Sequence, residues 1–248
     1  MRQTIVITDL TQMPDKNQVC VVGINENGEC IRPVHVRGFL KKYLYIDNKL
    51  SVIPRARIEF DFTPAKIEPP HIEDKTFDPT YIVSYGACNN TEWKYTLESK
   101  AYTNVDAIYN GFLQGSSWVK PGVQTRSIAT LSKATALNVQ LPEYEERKLK
   151  YKLSFKDSTG AVFNRPVSDL TFRELCYKKV KRDGNLHSAV ASELTDLLNN
   201  AERAHIRLGS ARPWAQPGSS EFRCYLQVTG IYTSPDYLQG KTFADFLT

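Results

Sequence analysis

Three stretches of this 248-residue chain alternate apolar and polar side chains with a period of two, and this pattern constrains the fold more than any other feature. They are RARIEFDF at 55–62, KLKYKLSFK at 148–156 and FRCYLQVTGIY at 222–232. Successive side chains of a β-strand point to opposite faces of its sheet, so each stretch predicts a strand with one buried face. The β-branched runs at 4–10 and 18–24 indicate two more strands. The sequence therefore predicts an all-β protein with minor helices.

An imperfect repeat adds a second constraint. GECIRPV at 28–34 and GAVFNRPV at 160–167 each begin with a glycine after polar turn residues and end in Arg-Pro-Val. Glycine permits the turn, and proline near the end of a strand stops the ladder from extending. The repeat therefore favours one fold element made twice. A paired binding site built from Arg32 and Arg165 is the alternative, because alternation alone does not decide where those arginines point.

The alternating strand pattern restarts after a break at 140–147. More strands and helices can be predicted in the second half than in the first. Two helices are predicted, one within 168–180 and one at 188–201, and Thr171 with Glu174 has capping-box spacing. The five predicted strands of this half are 128–139, 148–156, 161–167, 204–214 and 222–232. Five strands with helix between the third and fourth are the layout of an OB-type barrel.

The first half also offers a hairpin followed by a separate alternating strand. We therefore expect two tandem OB-type five-stranded barrels, in domains of 1–140 and 141–248, the first with long loop insertions. The proline-rich segment at 66–79 has no periodicity and is expected to be such a loop.

Composition restricts the functional classes. The 32 basic and 27 acidic residues leave a net charge of +5, which permits contact with a polyanion without requiring one. The five cysteines are odd in number and lack CxxC spacing, which disfavours structural zinc and a disulfide framework. The chain shows neither a membrane-span run nor a signal-peptide pattern, so we expect a cytoplasmic protein. Motifs of hydrolases, metalloproteases and nucleotide-binding loops are missing, so no cofactor is expected.

The segment PPHIED at 69–74 is a weak candidate for metal or acid–base chemistry. Its His71, Glu73 and Asp74 are residue types that ligate metals or transfer protons. One histidine with two carboxylates in a loop is a weak pattern, however, and a solvated loop is the expectation, with no metal.

Four segments resemble a known family. They are GECIRPV, PPHIED, LGSARPW at 208–214 and CYLQVTGIYTSPDYLQGKTFADF at 224–246, and together they span nearly the whole chain. On these segments the chain resembles the dual OB-containing domain, a family of mostly uncharacterised bacterial proteins. The resemblance implies two OB-type barrels and implies no reaction.

Two patterns suggest a nucleic-acid interface. Lys148, Lys150 and Lys152 would form a row of cations roughly 6.6 Å apart on one face of a strand, which suits a phosphate backbone. Exposed strand lysines also prevent edge-to-edge aggregation, which is the alternative.

The second pattern combines aromatic and basic side chains near the end of the chain. Arg212 and Trp214 lie at a strand end, and Arg223 and Tyr225 are predicted on the outer face of the next strand. That strand is expected to bury Phe222, Cys224, Leu226 and Val228, and to expose Arg223, Tyr225, Gln227 and Thr229. Stacking platforms combined with cations hold single strands on OB barrels. Packing of Trp214 and Tyr225 against the other barrel is the alternative.

We therefore expect a non-enzymatic protein that binds single-stranded DNA or RNA through these basic and aromatic faces. Two alternatives stay open. The same strands could bind a partner protein, as an adaptor in a larger complex. An enzyme acting on nucleotides or nucleic acid could instead use the carboxylates near His71, or the pair Glu59 and Asp61.

Overall fold

The structure is a computed structural model that describes residues 1–141 and 151–247. It is β-rich, with 43% strand and 20% helix, which confirms the predicted class. The predicted site residues Lys148 and Lys150 lie outside the described residues.

The described residues contain many short strands and a few helices. The strands of the first half are β1 Arg2–Gln12, β2 Gln18–Ile24, β3 Cys30–Val34, β4 Phe39–Leu40, β5 Tyr45–Ile46, β6 Lys49–Leu50, β7 Ala56–Pro64 and β8 Asp74–Ala87. Those that follow are β9 Trp118–Val119, β10 Ile128–Leu131, β11 Thr135–Gln140, β12 Lys152–Lys156, β13 Val162–Pro166, β14 Arg203–Ser210, β15 Trp214–Ala215 and β16 Phe222–Ser234.

The α-helices are α1 Asn90–Glu98, α2 Val105–Ile108, α3 Leu170–Tyr177 and α4 His187–Asn199. A π-helical segment at Lys178–Arg182 continues α3, and 3₁₀ turns lie at Lys41–Leu44 and Phe243–Phe246. None of the helices in the described part of the chain has the length and apolar character needed to cross a membrane.

Five strands of the first half close into a barrel, here called the N-terminal barrel. Around the ring the order is β1–β2–β3–β8–β7, and β7 returns to β1. All neighbours are antiparallel except β3 and β8, which run parallel with Arg32 opposite Asp74. Ile5, Ile58 and Phe60 are among the side chains that fill its core. The predicted alternation of β7 is confirmed, because Ala56, Ile58, Phe60 and Phe62 are all buried.

The segment 66–79, which we expected to be a loop, becomes strand from Asp74 onward. Pro79, one of the prolines that suggested a loop, lies where β7 and β8 change register, between the pairs Phe62–Phe77 and Phe60–Ile82. A proline is tolerated in such a bulge because no ladder hydrogen bond needs its missing N–H group.

The strands after residue 117 form a half-barrel, here called the C-terminal half-barrel. One sheet has the order β10–β14–β16–β15, and β9 also pairs with β16. A second sheet has the order β11–β12–β13, and a parallel bridge from Val167 to Val228 joins its end to β16. The predicted order of three strands, helices and two strands is present, with the first strand divided into β10 and β11. Both β10 and β11 pair with strands that follow residue 150.

The inner face of β16 differs from the prediction at both ends. Cys224, Leu226 and Val228 are buried as expected, but Phe222 is 56% exposed and Thr229 only 4% exposed. The cause at Thr229 is a bulge: Leu208 pairs with Val228 and Arg207 with Gly230, which leaves Thr229 without a partner on β14. A bulged residue can turn its side chain away from the alternating pattern.

A buried ion pair joins the two halves. Arg207 on β14 and Asp9 on β1 are both fully buried, and the guanidinium Nε donates to Asp9 Oδ2 over 2.9 Å. Arg207 Nη1 also donates to Thr130 Oγ1, while Thr229 Oγ1 donates to the other oxygen of Asp9. Thr8 Oγ1 supplies a further hydrogen bond to the same carboxylate. Both charges are therefore satisfied by hydrogen bonds, as buried charges must be.

Helix α3 begins at the same junction, but its cap differs from the prediction. The N-cap is Asp169, whose carboxylate accepts a hydrogen bond from the backbone N–H of Phe172, rather than the predicted pair of Thr171 and Glu174. Burial raises the pKa of Asp169 to about 7, against the opposing effect of its backbone hydrogen bonds.

We predict that Arg207→Met lowers the free energy of unfolding by about 3–5 kcal/mol, because it leaves the Asp9 carboxylate buried without a cation. Urea unfolding would measure the loss. The double variant Asp9→Leu, Arg207→Met should recover part of it, since no lone charge remains. The exposed pair Lys66–Glu68 provides the control, and Lys66→Gln should leave stability unchanged. An Arg207→Met protein as stable as that control would contradict the prediction.

A second prediction concerns pH. Because the folded pKa of Asp169 is raised, the native state holds a proton between about pH 4 and pH 7 that the unfolded state has lost. This contribution to stability is full below about pH 4 and is lost as the pH rises to about 7. It amounts to a few kcal/mol at most, since one pKa unit corresponds to about 1.4 kcal/mol. Asp169→Asn should remove it. Parallel pH profiles of unfolding free energy for the two proteins would contradict the prediction.

Candidate nucleic-acid interface

A partly exposed cluster of aromatic and basic side chains lies at the start of β16, where two short strands flank it. Trp118 on β9 lies opposite Tyr225, and Trp214 on β15 lies opposite Arg223. Arg223 and Tyr225 are two residues apart on one strand and therefore share a face. These four side chains are called the platform below.

The platform side chains contact one another. The Arg223 guanidinium carbon lies 4.5 Å from the centroid of the Trp118 ring, which is a cation–π geometry. The rings of Trp214 and Tyr225 lie 6.0 Å apart at 59°. Trp214 is 51% exposed, so much of its ring surface is open to a ligand. Packing against the other barrel, the alternative considered for Trp214, does not account for that exposure.

Arg223 also forms an ion pair with Glu221. Its Nε donates to Glu221 Oε2 over 3.0 Å, and its Nη2 donates to the same oxygen. The hydrogen bonds to Glu221 raise the pKa of Arg223, which stays protonated. Ion pairs between exposed side chains are weak, so a phosphate could replace this carboxylate.

Arg212 lies two residues before Trp214, in the segment 211–213 between β14 and β15, which is called the platform loop below. It links this loop to the N-terminal barrel. Its Nη2 donates to Asp74 Oδ2 over 2.7 Å, and Asp74 Oδ1 accepts from Arg32 Nε over 2.6 Å. One carboxylate therefore bridges two guanidinium groups from different halves of the chain. Arg212 keeps about half of its side chain exposed, whereas Arg32 is buried.

The segment PPHIED is part of this junction, so the expectation of a solvated loop is wrong. His71, Glu73 and Asp74 are all buried. Glu73 accepts hydrogen bonds from the backbone N–H groups of Ser127 and Ile128 and from Ser127 Oγ. Its carboxylate is thus committed to holding β10 against the N-terminal barrel.

His71 is neutral in this environment. Burial, together with the nearby guanidinium groups of Arg32 and Arg212, lowers its pKa to about 2. Within residues 1–141 and 151–247, no group of three or more His, Cys, Asp or Glu residues is arranged to hold a metal ion.

The two Arg-Pro-Val triplets lie at equivalent places in the two halves. Arg32 is on β3 beside its parallel neighbour β8, and Arg165 is on β13, which reaches the parallel bridge to β16 at Val167. Arg165 is opposite Leu153 and has no acidic partner among the described residues, and burial lowers its pKa. The two arginines have different surroundings, which favours the interpretation of the repeat as one fold element made twice.

Of the three lysines in the predicted row, only Lys152 lies among the described residues. Lys152 is partly exposed on β12, opposite Pro166. It lies on the face of β12 opposite to Leu153, whereas Arg165 shares the face of Leu153. Lys148 and Lys150 lie outside the described residues, so their part in the row stays a prediction.

Trp118 is the platform residue that sequence reasoning missed. It belongs to a strand of two residues, which is too short to show any periodicity. Only its pairing with Tyr225, more than a hundred positions away, places it on the platform. The one local signal was an isolated tryptophan, two residues before a lysine and three before a proline.

Comparison with known proteins gives no relative: no protein-family model, curated protein or solved structure matches the chain. The resemblance to the dual OB-containing domain therefore stays an expectation. Function is accordingly inferred from the geometry of the platform.

Proposed function

We propose that this protein binds single-stranded nucleic acid, without catalysis, through the platform of Trp118, Trp214, Arg223 and Tyr225. The observation that carries the proposal is one sheet face on which exposed Trp214 lies beside the partly exposed side chains of Trp118, Arg223 and Tyr225. Aromatic rings stack on bases of any sequence, and neighbouring cations neutralise the phosphates between them.

Single strands suit the platform better than a duplex does. The faces of bases in a duplex are covered by their neighbours, whereas an unpaired base can stack on a protein ring. Arg223 lies within the platform, and Arg212 is half exposed two residues before Trp214. Lys152 and the preceding Lys148 and Lys150 are proposed to extend the phosphate contacts.

The proposal includes two OB-type barrels, in line with the resemblance. The strand order of the N-terminal barrel, with one parallel pair between β3 and β8, supports it. In the C-terminal half-barrel, the helices between the third and fourth strands and the parallel bridge at Val167 support it. OB barrels bind oligonucleotides, so the fold suggests this ligand class by analogy. A cytoplasmic location is also proposed, since all five cysteines are free thiols.

We predict that the full chain binds fluorescein-labelled single strands of deoxythymidine or uridine at low salt, as measured by anisotropy. Trp214→Ala should weaken binding roughly tenfold, because stacking on an aromatic side chain is worth about 1–3 kcal/mol per base. Tyr95→Ala is the matched control, because Tyr95 is an exposed aromatic on α1 that lies outside the platform. No binding at low salt, or equal affinities for the two variants, would contradict the proposal.

A second variant should act in the opposite direction. Glu221→Gln removes the carboxylate that pairs with Arg223, so single strands should bind more tightly. The dependence of log affinity on log salt should also steepen, by up to about one released counterion. If Glu221→Gln weakens binding instead, Glu221 holds Arg223 in the position that binds phosphate. That result would contradict the proposal that carboxylate and phosphate compete for Arg223.

A further inference from the structure

A cleft of about 480 Å³ lies where the N-terminal barrel meets the C-terminal half-barrel, and it lies apart from the platform. Its walls come from the turn between β2 and β3, the start of β8, the segment after α1, and the start of β10. Apart from Arg207, which is paired with Asp9, the charged and aromatic side chains at its walls are Glu29, Glu73, Lys75, Lys100, Tyr102 and Arg126. Its volume falls in the range of small-molecule sites, which often lie between domains.

The charge of the cleft favours an anionic ligand. Its two carboxylates are already engaged: Glu73 accepts three hydrogen bonds from Ser127 and Ile128, and Glu29 accepts one from the Asn25 amide. In contrast, neither Lys100 nor Arg126 forms a salt bridge with any residue in the described ranges. Two cations without acidic partners therefore line the same cleft.

Arg126 also forms a surface suited to a planar group. Its guanidinium carbon lies 4.6 Å from the centroid of the Tyr102 ring. Its Nε is buried and has no hydrogen-bond partner among the described residues. A buried donor without a partner is unfavourable, and no described residue satisfies this N–H group. Guanidinium groups stack on planar rings and bind phosphates, so one side chain can serve both parts of a ligand.

The walls are held in place before any ligand arrives. Tyr102 is fixed by its backbone, because its N–H donates to Thr130 O and its carbonyl accepts from Ser132 N. Arg126 directly precedes Ser127, which Glu73 holds through two hydrogen bonds. Across the cleft, Gly28 has φ +73°, and a β-carbon there would come within 3.3 Å of the Lys100 side chain. A site with fixed walls loses little conformational entropy on binding.

We propose that this cleft binds a nucleoside monophosphate, with its phosphate at Lys100 and Arg126 and its base against the Arg126–Tyr102 pair. An inorganic phosphate would leave most of the volume unfilled, and an apolar ligand would leave the two cations without a partner. A larger cleft of about 980 Å³ runs past α1, but there four carboxylates offset the four lysine and arginine side chains. The smaller cleft therefore has the stronger case for an anion.

The test is calorimetric titration of the full chain with the four ribonucleoside monophosphates, with adenosine and with inorganic phosphate. We expect at least one nucleotide to bind at least about tenfold more tightly than adenosine or phosphate, because it makes both kinds of contact. Lys100→Glu should weaken nucleotide binding by about tenfold or more, since it replaces an attraction by a repulsion. Lys94→Glu is the matched control, because Lys94 is an exposed lysine of α1 that lines the larger cleft.

Three results would overturn the proposal. The first is that none of the four nucleotides binds at millimolar concentration. The second is that Lys100→Glu and Lys94→Glu bind a nucleotide equally well. The third is that inorganic phosphate binds as tightly as the nucleotides, which would remove the part assigned to Tyr102. All three results are independent of strand binding at the platform, so this proposal and the proposed function can fail separately.

Discussion

The buried pair of Asp9 and Arg207 is the interaction on which the arrangement of the two halves depends. Two charges without access to water are tolerated only when each finds its partner and its hydrogen bonds, and here the partners come from opposite ends of the chain. Any other packing of β1 against β14 would leave a carboxylate or a guanidinium buried alone. Apolar surfaces can slide past each other at little cost, whereas a buried ion pair cannot. The pair therefore disfavours other arrangements of the two halves more strongly than apolar packing does.

Further polar contacts between the two halves lie near the Asp9–Arg207 pair. Asp74 bridges Arg32 and Arg212, and Glu73 holds Ser127, so the start of β8 contacts both the platform loop and β10. One side of this junction positions the loop that carries Trp214. The other side forms the wall of the cleft at Arg126. Both proposed binding surfaces thus depend on the carboxylates of Glu73 and Asp74.

The sequence predicted those features of the fold that appear as a periodic pattern of apolar residues within one segment. The alternation of β7 identified its buried face, and the restart after the break at 140–147 identified the order of elements in the second half. The prediction was wrong at Thr229, because a bulge shifts the pattern by one residue, and bulges leave no periodic signal of their own. It was also wrong for PPHIED, because burial of a short polar segment depends on partners such as Ser127 that are distant in sequence.

The platform was predicted in part for the same reason. Arg223 and Tyr225 were assigned to the outer face of a long alternating strand, where the rule is strong. Trp118 depends on a pairing of two residues, and the restraint of Arg212 by Asp74 joins positions 138 residues apart. Long-range pairs of this kind are decided by tertiary packing, which a single sequence does not reveal.

The most direct test of the central claim uses the three tryptophans of the chain as reporters. Trp118 and Trp214 lie on the platform, whereas Trp93 on α1 packs edge-on against Tyr232 and serves as the internal control. The protein would be labelled with 5-fluorotryptophan, its resonances assigned with single Trp→Phe variants, and a single-stranded oligonucleotide added to saturation. The account predicts that the fluorine signals of Trp118 and Trp214 shift while that of Trp93 stays in place. Shifts confined to Trp93, or three unchanged signals, would contradict it.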